Sequence, residues 1–248
     1  MRSNVQPPAP PPPLRVALRR PRKARPAAAR DEDAGAAPFV PNTTSLKTLD
    51  EAAQRCRGCD LYRQATQAVL GEGRRTARIM LVGEQPGDQE DRQGHPFVGP
   101  AGKLLSAALE TAGIDRRQAY VTNAVKHFKW IPAGERGKRR IHQKPNAREI
   151  AACRPWLLAE IEAVQPRVIV CLGATAAQSL LGAGFRVTQH RGQSVPSPFA
   201  ARLVPTVHPS SILRARDDDT RQREMRAFVD DLRAAAALLS SSRDELHL

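Results

Sequence analysis

Arg78-Ile79-Met80-Leu81-Val82-Gly83-Glu84-Gln85-Pro86-Gly87-Asp88 is the stretch on which the fold turns. Arg78 to Val82 is a short β-rich run, and a polar loop punctuated by Gly and Pro follows at its carboxyl end. Three more runs have the same character: Ala119 to Asn123, Arg167 to Leu172 and Arg202 to Val207. Helical spacing of apolar residues marks Leu46 to Arg57, Pro100 to Ala112, Asn146 to Val164 and Ala174 to Leu181. Asp218 to Leu239 closes the pattern as an Ala-rich amphipathic helix. Strand and helix alternate, which predicts an α/β protein: a three-layer α/β/α sandwich around a mostly parallel four-stranded sheet. In such folds functional residues gather at the carboxyl ends of strands. Here those ends carry Gly83 to Asp88, Asn123-Ala124-Val125-Lys126-His127, Cys171-Leu172-Gly173 and His208-Pro209-Ser210-Ser211. Three of the four are dense in groups capable of catalysis, so the sequence reads as an enzyme scaffold.

The chain has 248 residues, enough for one sizeable core plus a tail. Residues 1–45 hold 10 of the 21 prolines, including Pro10 to Pro13, and eight Lys or Arg. A segment so poor in periodic apolar residues does not offset its ordering entropy, so a disordered Pro/Arg-rich tail is expected there. One domain is expected over 46–240, with a short tail at 241–248. Thirty-nine Lys+Arg against 25 Asp+Glu give a formal charge of +14, the electrostatic footprint of a protein that meets polyanions, nucleic acid first among them. No apolar run reaches 18 residues and no secretory leader is recognisable, so a cytoplasmic, nucleoid-associated protein without a membrane partner is expected. A monomer is the default expectation.

Lys138-Arg139-Arg140-Ile141-His142 lies within the Gly/Pro-containing segment 131–145, expected to be a loop. Like charges beside an imidazole disfavour its protonation, so His142 is biased toward the neutral, nucleophilic form. The chain has four cysteines, Cys56, Cys59, Cys153 and Cys171. Structural disulfides are not expected in the cytosol, and a Cys-x-x-Cys pair with two further thiols points to a soft metal site. Spacing alone leaves zinc and an iron-sulfur cluster both open, and Cys171 also reads as a small buried hydrophobe.

Glu84-Gln85-Pro86-Gly87-Asp88-Gln89-Glu90-Asp91, with Gly94-His95-Pro96-Phe97-Val98-Gly99-Pro100-Ala101-Gly102, resembles the first active-site motif of the family 4 uracil-DNA glycosylases. Asn123-Ala124-Val125-Lys126 resembles their middle motif, and His208-Pro209-Ser210-Ser211-Ile212-Leu213-Arg214 their last. The resemblance spans roughly residues 46–240. It implies a [4Fe-4S] cluster on Cys56, Cys59, Cys153 and Cys171, away from the chemistry. The Lys-Arg-Arg-Ile-His run, and His127-Phe128-Lys129 where ordinary members have a Cys-Arg-Pro-Pro type sequence, are similar to the UdgX subgroup, whose members become covalently joined to uracil-containing DNA.

The resemblance implies that Asn123 reads the edge of an extruded uracil and that Phe97 stacks on it. Glu84 and Asp88 supply negative charge beneath the sugar, with Asp91 competing for the same description; Gln85 orients the attacking group, and His208 hydrogen-bonds the departing base. His142 would capture the anomeric carbon in place of water, leaving a persistent adduct after one turnover. Lys138, Arg139, Arg140 and Arg214 would lie on DNA phosphates, and single-stranded DNA would be accepted. A conventional multi-turnover glycosylase and a noncatalytic four-cysteine module that binds nucleic acid are the alternatives.

Overall fold

The computed structural model describes residues 35–134 and 139–241. Four strands, β1 (Ile79–Gly83), β2 (Ala119–Asn123), β5 (Val168–Leu172) and β6 (Arg202–Thr206), form one sheet in the order β2-β1-β5-β6, every neighbouring pair parallel. β1, β2 and β5 are buried along their whole length, as strands covered on both faces must be. Register levels their carboxyl ends: Gly83 pairs with Asn123, and Leu172 with Thr206. The strands expected from sequence are all present to within a residue.

Alternate side chains supply the two faces. Ile79, Leu81, Val121, Val168 and Val170 pack against α3 (Pro100–Thr111) and α8 (Asp218–Ser241), through Leu105, Leu109, Phe228 and Leu232. Met80, Val82, Tyr120 and Ile169 face α4 (Ala147–Val164) and α5 (Ala174–Leu181), through Leu157, Ile161, Ala177 and Leu180. Each such side chain contributes about 1.5–3 kcal/mol relative to exposure. Short helices α2 (Asp88–Gln93), α6 (Val187–His190) and α7 (Pro209–Leu213) sit in connections, and α1 (Leu46–Ala53) packs on α4. Among the described residues no helix is long and apolar enough to cross a membrane.

Two expectations need correction. Segment 131–145 is not simply a loop: β3 (Trp130–Ala133) and β4 (Arg139–His142) form an antiparallel hairpin, with Ile131 opposite Ile141 and Trp130 opposite His142. Aromatic and β-branched residues at those positions favour strand pairing over the Gly/Pro signals beside them. Residues 35–45, placed in the expected disordered tail, are also structured. Gly35 adopts a left-handed backbone, buried Ala36 donates its N–H to Ala152 O at 2.7 Å, and a 3₁₀ turn spans Ala37–Phe39. Residues 1–34 and 242–248, most of the two expected tails, lie outside the described residues.

A charged pair is buried behind the end of β2. Lys126 Nζ lies 2.5 Å from Glu160 Oε2 on α4, with both side chains essentially inaccessible. Glu160 also accepts from Gly71 N, Tyr120 Oη and Thr122 Oγ1, while Lys126 Nζ donates to Asn123 O at 2.6 Å. Removing one partner of such a pair leaves an uncompensated charge. Lys126→Met is therefore expected to lower stability by about 3–5 kcal/mol, read as a shifted urea midpoint with unchanged slope; Lys126→Met with Glu160→Gln together should recover much of it.

Candidate active site

The polar ends of the four strands open into one cleft of about 800 Å³, lined by residues that include Glu84, Gln85, Asp88, Phe97, Asn123, His142, Thr175, His208 and Arg214. Its floor is built by close backbone approach. A Cβ on Gly83 would collide with Asn123 Oδ1 and come within 2.7 Å of the Phe97 ring. Phe97 has φ 58°, a left-handed conformation rare for a bulky residue, and Gly102 at the start of α3 leaves room for its carbonyl. Phe97 is stacked with His208, their ring centroids 6.3 Å apart. Gly83→Ala should displace both Asn123 and Phe97, costing about 100-fold in excision rate for a misplacement near 1 Å; single-turnover kinetics on uracil-containing DNA would show it.

His208 caps α7, its Nδ1 accepting from Ser210 N at 3.2 Å. The other nitrogen, Nε2, therefore carries the hydrogen of the neutral ring and is free to donate. Burial, with His142 and Arg214 nearby, pushes the His208 imidazole down to about 4. His142, at the end of β4, places Nε2 3.5 Å from Glu84 Oε1 and tilts against Phe128. Its imidazole is also held below its ordinary value. The bias toward the neutral ring thus agrees with expectation, but the cause does not: the ring, about half exposed, is shifted mainly by partial desolvation in the cleft, opposed by Glu84 and aided by Arg214.

The three candidate carboxylates separate clearly. Asp91 is fully buried and accepts from Thr66 N and Oγ1 and from Arg140 at 2.6 Å. Asp88 is engaged by Arg140 and Arg92. Glu84 alone of the three faces His142, and its other oxygen accepts from the Thr175 hydroxyl.

Arg140 is consequently not disposed on a phosphate-binding surface. Its guanidinium is held between Asp88 and Asp91 and lies over the rings of Phe128 and Trp130. Gln85 also departs from the role expected of it. It donates to Lys129 O and Gln143 O, both at 3.1 Å, and accepts from Lys129 N, clasping the backbone on either side of the hairpin rather than an attacking group. Arg139 and Arg214 are exposed, Arg214 beside the cleft; Lys138 lies outside the described residues. Sequence reading passed over Thr175, and over Glu90, whose carboxylate accepts from Gly87 N and Gly99 N and so ties the two halves of the first motif together. A Glu three residues after Gly87 was a legible capping signal; nothing local marked Thr175.

The cysteines do not meet as a set of four. Cys153 is raised to about 12 and Cys59 to about 11, chiefly by burial, and Cys153 is also influenced by Cys59 and Cys56. Cys171 belongs to the core between the sheet and α5, and only burial acts on it. Its side chain is packing, the reading that its apolar strand permitted. Among the described residues no three His, Cys, Asp or Glu side chains lie close enough to enclose a single metal ion. A further donor lies near by in sequence. Lys126 N donates to Cys153 Sγ at 3.2 Å, and the next residue, His127, is buried, with Nδ1 lacking a hydrogen-bond partner among the described residues. Burial lowers its imidazole to about 4.

A parallel α/β sandwich with an amide, an aromatic ring, a carboxylate and two histidines gathered on one rim has the groups to stack on a flat ligand, read its polar edge and stabilise developing charge. Residues 70–233 match the Uracil DNA glycosylase superfamily. The type-4 uracil-DNA glycosylase of Thermotoga maritima is 37% identical over 195 residues, 78% of this chain and 94% of that protein. That of Sulfurisphaera tokodaii is 38% identical over 177 residues, 68% of this chain and 76% of that protein. A type-5 uracil-DNA glycosylase from Pyrobaculum aerophilum is 30% identical over 179 residues, 65% of this chain and 72% of that protein. The chain belongs to the uracil-DNA glycosylase superfamily, in its type-4 family.

Proposed function

We propose that the protein excises uracil from DNA in repair and is then joined to the vacated sugar through His142, as members of the UdgX subgroup are. The observation that carries this reading is the placement of His142 in the same cleft as Asn123 and Phe97, 3.5 Å from the one candidate carboxylate not engaged by Arg140. An extruded uracil would stack on Phe97 and present its polar edge to Asn123. As the bond between the anomeric carbon and uracil N1 breaks, the electron pair leaves with the base. His208 Nε2–H donates to the resulting anion, and Glu84 stabilises the cationic sugar. The unprotonated ring nitrogen of His142 then gives its lone pair to the anomeric carbon. The proton on its second nitrogen passes to solvent, leaving a neutral N-alkyl imidazole, a poor leaving group.

Cys56, Cys59 and Cys153, with the imidazole of His127 in place of Cys171, are the donors we assign to an iron-sulfur cluster. Thiolates are the usual ligands of such clusters, and imidazole replaces thiolate in some of them. As a structural element it would secure α1 and α4 behind the site. Absorbance near 400 nm with stoichiometric iron would support the assignment; colourless protein carrying one zinc would overturn it. The basic surface, including Arg139 and Arg214, suits the phosphates of single-stranded DNA, and a monomer carries every residue of the proposed site.

Denaturing electrophoresis after mixing with a single-stranded oligonucleotide containing one uracil tests the main proposal. A retarded band that resists denaturant and is absent with thymine supports it. Free uracil accumulating beyond one equivalent without that band identifies a conventional glycosylase, and neither product leaves only a binding module.

A further inference from the structure

We infer that Thr175 is a positioning residue that aims the Glu84 carboxylate, an inference resting on the excision chemistry proposed above. Thr175 stands at the second position of α5, almost fully buried, immediately after the strand-end loop of β5. Its hydroxyl donates to Glu84 Oε2. The opposite oxygen, Oε1, is the one that faces His142 Nε2. A carboxylate on a loop rotates freely about its terminal torsion unless something fixes it. Here Thr175 holds one oxygen and presents the other to the point where sugar charge develops and where His142 must approach.

The surrounding backbone supports the arrangement. Gly173 takes φ +94° between β5 and α5, and a Cβ there would press to 3.1 Å on the His208 Cβ. The turn that delivers Thr175 to Glu84 therefore also sets the distance to the histidine that meets the departing base. Two sides of the reaction, charge beneath the sugar and donation to the base, share one tight turn. Thr175 touches neither reacting atom in this scheme and acts through Glu84.

Thr175→Val keeps the branched shape and removes the donor; Thr175→Ser keeps the donor. Full-length variants would be compared in single-turnover excision from a uracil-containing single-stranded oligonucleotide, with protein concentration varied. Thr175→Val is expected to lower the saturating rate on the order of 10- to 100-fold, the cost of losing alignment at a reacting group. The half-saturating concentration and thermal unfolding should stay unchanged, and Thr175→Ser should restore most of the rate. A purely structural hydroxyl would instead shift unfolding or the half-saturating concentration. A Thr175→Val rate equal to wild type, or no recovery in Thr175→Ser, overturns the inference. Glu84→Gln is the control that separates the two levels: full activity in that variant would overturn the proposed chemistry itself, whereas its loss beside an unaffected Thr175→Val rejects only the role of Thr175.

Discussion

His142→Ser is expected to lose the denaturation-resistant complex completely while continuing to release uracil. The bond-breaking groups, Glu84, Phe97, Asn123 and His208, lie at or after the ends of β1, β2 and β6, outside the hairpin that carries the imidazole. With the ring gone, water enters beside Glu84 and completes hydrolysis, so more than one equivalent of free uracil should appear per protein. Excision should stay within about tenfold of wild type, since neither base recognition nor charge stabilisation is removed. Loss of both excision and adduct would make His142 part of the bond-breaking step and contradict the order proposed.

The same residue gives the pH dependence. The nucleophile is the neutral ring, and its protonation is shifted below the ordinary histidine value by partial desolvation, with Glu84 opposing and Arg214 adding to the shift. Adduct formation in wild type should therefore be insensitive to pH across the neutral range and fall only below the ordinary histidine value near 6.5. Rapid acid quench followed by gel quantitation would read it. A decline already apparent between pH 8 and 7 would contradict the assigned protonation state.

Arg140→Gln is the second large effect, because this side chain holds the hairpin to α2 through Asp88 and Asp91. Asp91 is fully buried, and removing its cation should destabilise the fold by about 3 kcal/mol, the lower end for a broken buried pair because Thr66 still donates to it. Displacing His142 by even 1 Å should lower the rate of adduct formation by about 100-fold. Uracil release, which uses residues outside the hairpin, should fall much less, so the ratio of adduct to free uracil is the diagnostic. Salt dependence separates anchoring from phosphate contact. Arg140→Gln should leave the slope of log affinity against log salt unchanged, whereas loss of a true phosphate contact, as tested by Arg139→Gln, reduces it by about 0.7 on single strands.

The fold was legible because the apolar runs are short, unbroken and separated by helical periodicity; β2 and α5 fall where the residues alone place them. The hairpin was harder. Gly134 and the neighbouring prolines argue for a loop, and the pairing of Trp130 with His142 depends on anchors far away in sequence. At the site, motif residues named the participants but not their partners. Which carboxylate meets His142 is decided by where Arg140 points, and a chain order of Asp88, Asp91, Arg140 contains no such direction. Four cysteines suggested one set of four ligands, yet Cys171 faces the helix layer from the middle of a buried sheet. His127 was read only as part of a departure from ordinary members of the family, and its buried ring nitrogen, without a partner among the described residues, is what draws attention to it.

Gln85 grips the hairpin at its base, through Lys129 and Gln143, and Asp88 and Asp91 grip it along β4, through Arg140. The nucleophile's location is thus set from outside the hairpin. Transplanting β3 and β4 alone onto a scaffold without the glutamine and the two aspartates should yield a protein that still removes bases but cannot retain its DNA.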